Sequence, residues 1–236
     1  MKRFSQAFVS MMVLVLLSGC LYPEEQLAQN QIPYEEQIES VQAAINQFKE
    51  EENGLLPIKT KEHDTPVYRK YPIDFSKIVP RYMASSPSNS FEKGGIFQYV
   101  LIDVEENPTV KLIDLRIPEK IKEIQMRIRS QGYPPMKELI GDNVYTLDFA
   151  KLGYKEDPFV VSPFSGVHLP FVITGKGDLY VDYRQDIYMK LEDKMSIQTV
   201  NEEDIRSVLL EGSHFVPAYS LPYVLNEKNE PDFNLK

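Results

Sequence analysis

Residues 96–117 read IFQYVLIDVEENPTVKLIDLRI, and this stretch decides the fold. Ile96 to Val104 is apolar at both odd and even positions. Successive strand side chains point to opposite faces, so a run that is apolar on both predicts a strand covered on both. Glu105-Glu106-Asn107-Pro108 reads as a turn, because proline fixes its own φ and lacks a donor. Val110 to Ile117 returns as the partner strand, which predicts an antiparallel hairpin. Pro118 then opens a helix to Gln131, with Ile121, Ile124 and Ile128 as its buried stripe and Gly132 as its left-handed cap.

On the N-terminal side, Ile38, Val41, Ile45 and Phe48 recur at three and four residues and predict an amphipathic helix over Tyr34 to Glu52. Glu35 and Glu36 suit its dipole, and Gly54 and Pro57 stop it. Leu55 to Gly95 has no period and holds five prolines. Val67-Tyr68 and Ile73-Asp74-Phe75 are expected as short irregular pieces, and Ser85 to Ser90 as a flexible loop.

On the C-terminal side, Val144 to Phe149 and Phe159 to Val161 are short strand candidates. Val167 to Thr174 alternates cleanly, and Pro170 predicts an edge position for it. Gly175-Lys176-Gly177-Asp178 is a turn, and Leu179 to Met189 is expected to return as a strand. A further helix is expected from its cap Asn201 to Glu211, followed by a tail that wraps the surface. No internal repeat stands out. Hairpins dominate, so the predicted class is α+β, a mostly antiparallel sheet built from hairpins with about three helices.

The chain begins with Lys2 and Arg3, an apolar run from Ala7 to Leu17, and then Leu17-Ser18-Gly19-Cys20. The run is too short to span a bilayer, which takes about 20 apolar residues, and its order reads as an export signal. Leu17-Ser18-Gly19-Cys20 resembles the lipobox of bacterial lipoproteins. That resemblance implies a diacylglyceryl group on the Cys20 sulfur, cleavage before Cys20, acylation of the freed amino group, and anchoring at the extracytoplasmic face of the cell membrane. Cys20 is the only cysteine, so no disulfide can form within the chain. The expected organisation is a signal peptide at 1–19, a lipidated cysteine and polar tether at 20–33, the amphipathic helix and proline-rich segment at 34–94, and an α+β domain at 95–236 packed with the preceding segment. The body resembles small uncharacterised lipoproteins of Bacillus-like bacteria, a likeness that brings no functional residue with it.

The formal charge is −9, and loss of Lys2 and Arg3 with the leader makes it −11. That balance argues against nucleic acid as a partner, because such binding rests on Lys and Arg contacts to phosphates. It also leaves membrane attachment to the acyl chains rather than to anionic headgroups. The histidines, His63, His168 and His214, show no metal-ligand spacing, and there is no phosphate loop, so neither metal nor cofactor is expected. Ser162-Pro163-Phe164-Ser165-Gly166 lacks the G-x-S-x-G pattern and reads as a plain loop. Asp103, Glu105 and Glu106 read as a solvated turn. No catalytic residue is assigned.

On the expected strand after Gly177, Tyr180, Asp182, Arg184, Asp186 and Tyr188 would share one face, opposite Leu179, Val181, Tyr183, Ile187 and Met189. The row is either a ligand-binding platform or an exposed sheet face laced with cross-strand ion pairs. The expected role is a non-enzymatic binding or interaction protein of the cell envelope, with an envelope protein or cell-wall component as partner. The alternatives are a solute-binding lipoprotein of a transporter and an envelope hydrolase using carboxylates. Replacing Cys20 with Ala should abolish metabolic labelling by a fatty acid such as palmitate and free the protein from membranes. A variant that still carries label would refute the anchor.

Overall fold

A computed structural model describes residues 34–193 and 204–235. The expected leader, tether and cap Asn201 lie outside those residues. The first helix, α1 (Tyr34–Glu51), turns Ile38, Val41, Ala44, Ile45 and Phe48 inward. They pack on the hairpin of β1 (Phe97–Ile102) and β2 (Thr109–Asp114), whose register runs from Phe97 opposite Asp114 to Ile102 opposite Thr109. Gln42 joins helix to hairpin from both ends of its amide. Its Nε2 donates to the Pro108 carbonyl at 2.9 Å, and its Oε1 accepts the Val110 N–H at 2.8 Å.

The segments without period complete this sheet. The Ile73 N–H donates to the Tyr99 carbonyl at 3.0 Å, and the Leu101 N–H to the Tyr71 carbonyl at 2.8 Å. On the far side, the Leu112 N–H donates to the His214 carbonyl at 2.8 Å, and the Val216 N–H returns to the Leu112 carbonyl at 3.0 Å. Both edges of the hairpin are therefore paired, as buried backbone groups require. One face holds Phe97, Tyr99 and Leu101 with α1; the other holds Val100 and Ile113 with Tyr68, Val216 and Ala218. Between them, Val67–Arg69 and Phe91–Lys93 form 3₁₀ turns, and Phe75–Ile78 forms the short helix α2, capped by the Asp74 carboxylate on the Ser76 N–H.

The serine-rich loop corrects an expectation. Asn89 and Ser90 are fully buried. The Phe97 N–H donates to the Asn89 carbonyl at 3.1 Å, and the Tyr99 hydroxyl to Asn89 Oδ1 at 2.8 Å. Composition suggested a flexible segment, but its last two residues are held by the hairpin they abut. Gly95 makes this approach possible, because a Cβ there would stand 2.1 Å from the Asn89 carbonyl carbon.

After β2, helix α3 (Arg116–Gln131) ends at Gly132 and buries Ile117, Ile121 and Ile124 against a second sheet. That sheet contains β3 (Met136–Gly141), β4 (Val144–Leu147), β5 (Phe159–Val161), β6 (His168–Thr174) and β7 (Leu179–Val181), all paired antiparallel. Strand β3 has no sequence alternation, and none of its side chains is buried, so pattern reasoning missed it. Strand β6 is central rather than at an edge: β5 and β4 share one side of it, and β7 takes the other. Pro170 is tolerated because it lies opposite Asp182, one residue past β7, and accepts the Asp182 N–H through its carbonyl at 3.0 Å. The strand expected over 179–189 stops at Val181, and Arg184–Asp193 is helix α4. The helix expected to end at Glu211 is a 3₁₀ turn, Ile205–Leu209, capped by Asp204. The tail returns as a hairpin of β8 (Tyr223–Leu225) and β9 (Pro231–Phe233). The class is α+β with mostly antiparallel sheets, as expected, with four α-helices among the described residues.

The close approach at Gly95 gives a sharp test. Gly95→Ala should destabilise by at least the ~1–3 kcal/mol typical of overpacking, because the obstacle is backbone and cannot rotate away. A melting temperature equal to the parent's would show that the Asn89 turn yields freely.

Candidate functional site

The structure separates the five residues that the sequence placed in one row. Asp182 and Arg184 lie at a strand-to-helix junction. The Asp182 carboxylate accepts the Arg184 N–H at 3.0 Å, while Arg184 Nε and Nη2 clasp its two oxygens at 3.0 and 2.7 Å. An aspartate that accepts the N–H two residues on starts a helix, so alternation ends at Val181. Asp186 then turns inward and Tyr188 outward, where Tyr188 is bonded to Glu192. Tyr180 alone stays on β7. The missed signal is the apolar series Tyr183, Ile187 and Leu191 at intervals of four, behind an Asp-x-Arg step; all three are buried.

The same step recurs twice. Asp114 accepts the Arg116 N–H at 2.9 Å and pairs with Arg116 Nη2 at 2.6 Å where α3 begins. Asp204 accepts the Arg206 N–H at 3.1 Å and pairs with its Nη2 at 2.5 Å where the 205–209 turn begins. A fork–fork pair of this kind is charge-assisted and geometrically strict. Asp182 and Arg184 are therefore occupied in building the fold.

Asp186 is also engaged. It is 1% exposed and accepts the Ser162 hydroxyl at 2.7 Å and the Ser165 hydroxyl through its other oxygen. Ser162 Oγ in turn accepts the Phe164 and Ser165 N–H groups, so the plain loop is folded around a buried carboxylate. The histidines are dispersed: exposed His168 stacks on Phe159 at 3.7 Å, and His214 lies 3.6 Å from Glu35. Among the described residues, no group of three His, Cys, Asp or Glu could hold a metal ion.

Tyr180 borders a different site, built where two hairpin turns meet. Asn143, at φ 55, turns β3 into β4, and the 174–178 turn joins β6 to β7. The Gly175 N–H donates to the Asn143 carbonyl at 3.0 Å, and a Cβ on Gly175 would stand 2.1 Å from Asn143 Oδ1. This staple shapes a cleft of about 260 Å³ lined by Asp142, Asn143, Thr174, Lys176, Asp178, Tyr180, Leu221 and Leu235. Thr174 is 5% exposed, and its hydroxyl has no hydrogen-bond partner among the described residues. Burial, and then the Asp178 carboxylate, hold the Tyr180 phenol protonated above its usual range, against a weaker pull from Arg69. The cleft thus offers two carboxylates, a buried hydroxyl, an amide and a phenol beside an apolar wall. Sequence reasoning named Tyr180 but not its neighbours, because they come from turns over thirty residues apart.

Asp186 makes a prediction about pH. Burial raises its pKa more than the Ser165 and Ser162 hydroxyls lower it. The folded protein then keeps this proton to a higher pH than the unfolded chain does. The favourable contribution is complete below the unfolded carboxylate range and is lost as pH rises through the folded pKa. Melting temperatures of Asp186→Asn relative to the parent should therefore rise as the buffer goes from acid to neutral. The opposite trend would mean that the serines stabilise the anion outright.

Among the described residues, no helix is long and apolar enough to cross a membrane. No curated protein and no solved structure matches the chain. Residues 34–114, from the first residue of α1 to the last of β2, are similar to the YphF family N-terminal domain, which supports the resemblance noted for the body.

Proposed function

We propose that this chain is a lipid-anchored lipoprotein of the extracytoplasmic membrane face that binds a small polar ligand, or a polar group of an envelope partner, in the Thr174–Tyr180 cleft. The anchor reading rests on Leu17-Ser18-Gly19-Cys20 and the lone thiol. The binding reading rests on one observation: the Thr174 hydroxyl at the wall of the cleft, buried and without a hydrogen-bond partner among the described residues. A buried polar group without a partner costs ~1–3 kcal/mol; Gln37, Arg69, Asn89, Ser90 and Tyr183 carry such atoms too, but only Thr174 among them lines this cleft. A ligand hydroxyl or ammonium group supplies what is missing, with Asp142 and Asp178 as further acceptors and the Tyr180 ring and Leu221 as an apolar floor.

The reading is non-enzymatic because the carboxylates that a hydrolase would use, Asp182 and Asp186, are both committed to structural partners. Thr174→Val tests it. The variant removes an unsatisfied hydroxyl at nearly constant shape, so its melting temperature should equal or exceed the parent's. Glucose and putrescine serve as hydroxyl and ammonium probes in thermal-shift titrations. At least one should stabilise the parent and lose that effect in Thr174→Val and Tyr180→Ala. Equal stabilisation of parent and variants, or of none, would defeat the assignment.

A further inference from the structure

A second binding feature is built around Arg69, whose charge reaches the Tyr180 phenol. Arg69 closes the 3₁₀ turn Val67–Arg69. Tyr68 in that turn is buried with the Arg206 guanidinium 5.0 Å above its ring, which anchors the turn. The Arg69 guanidinium lies over the Tyr219 ring, with Cζ 4.7 Å from the centroid. Stacking uses the face of a guanidinium and leaves its in-plane donors for other work. The Nε of Arg69 is buried and has no hydrogen-bond partner among the described residues. Arg69 also lines a basin of about 640 Å³, together with Thr60, Thr65 and Gln98 and with Lys61, Glu62 and Asp64.

We infer that this basin binds a carboxylate, held by the fork of Arg69. The chain has 35 acidic and 26 basic residues, yet among the described residues Arg69 forms no ion pair with a carboxylate. The three Asp-x-Arg forks show how this fold treats other arginines, each with its carboxylate two residues before. Position 67 is Val, so Arg69 has no such partner. A planar carboxylate matches the two parallel donors of a guanidinium. Glu62 and Asp64 offset Lys61 and disfavour a phosphate dianion, while the Thr60 and Thr65 hydroxyls and the Gln98 amide suit a polar ligand of single charge. The inference stands independently of the Thr174 cleft, because Arg69 does not line that cleft.

The test uses the full chain from Cys20 onward without acylation, followed by NMR of the Arg69 Nε–H and the Tyr219 ring. N-acetylalanine should move both signals saturably, and its uncharged analogue N-acetylalaninamide should not. Arg69→Lys keeps the charge but loses the fork, and should weaken binding by about tenfold or more. Thr174→Val should leave this response unchanged, which separates the two sites. Absence of saturable movement in the parent would overturn the site, and that measurement needs no variant to fold. An equal response from the amide, an undiminished response in Arg69→Lys, or tighter binding of inorganic phosphate would overturn the carboxylate assignment.

Discussion

The fold turns on one repeated interaction, an aspartate that accepts the N–H two residues ahead while its carboxylate is clasped by the arginine at that position. It occurs at Asp114, Asp182 and Asp204. In each case one charge solves two problems. The carboxylate satisfies a backbone donor that a new helix would leave orphaned, and the guanidinium neutralises a carboxylate taken out of water. Asp114 and Asp182 are buried while their arginines are about one-third to two-fifths exposed. At Asp204 the burial is reversed: Arg206 is the hidden partner, and it also donates to the Ser220 carbonyl at 3.1 Å and stacks on Tyr68. The direction of α3, of α4 and of the C-terminal tail follows from these three corners.

Two aromatic residues join the two halves of the molecule. The α1–hairpin layer and the β6-centred sheet have separate apolar interiors, but Phe164 packs against both. Tyr219 does the same between the sheet and the small layer behind Val100, while its carbonyl accepts the Val181 N–H at 2.8 Å. The tail is therefore structural, since residues 214–216 complete the first sheet and Tyr219 borders the second. Tyr180 lines the polar cleft and Tyr219 lines the basin, and turns from distant parts of the chain converge at both.

How far each element was legible depends on where its cause lay. Helices α1 and α3 were readable because their apolar residues repeat at helical period, and the β1–β2 hairpin because a run apolar on both faces meets a turn signal and a second apolar run. The strand expected over 179–189 was misread because Tyr180, Asp182, Arg184, Asp186 and Tyr188 alternate with apolar residues, while Tyr183, Ile187 and Leu191 repeat at four over the same span. Both periods fit the letters, and the Asp182 fork selects the helical one. Pro170 misled for a related reason: β5 still pairs with it on one side, and its lost donor faces the other, where β7 has ended and Asp182 begins the next corner.

The amino-acid order alone determined the class, the first helix, the hairpin, and the expected anchor at Cys20, because these rest on local periodicity and on a short run of consecutive residues. Only the tertiary structure decided which polar groups stay unpaired. Thr174 and Arg69 resemble any other threonine and arginine in the chain until packing buries the Thr174 hydroxyl and the Arg69 Nε with no hydrogen-bond partner among the described residues.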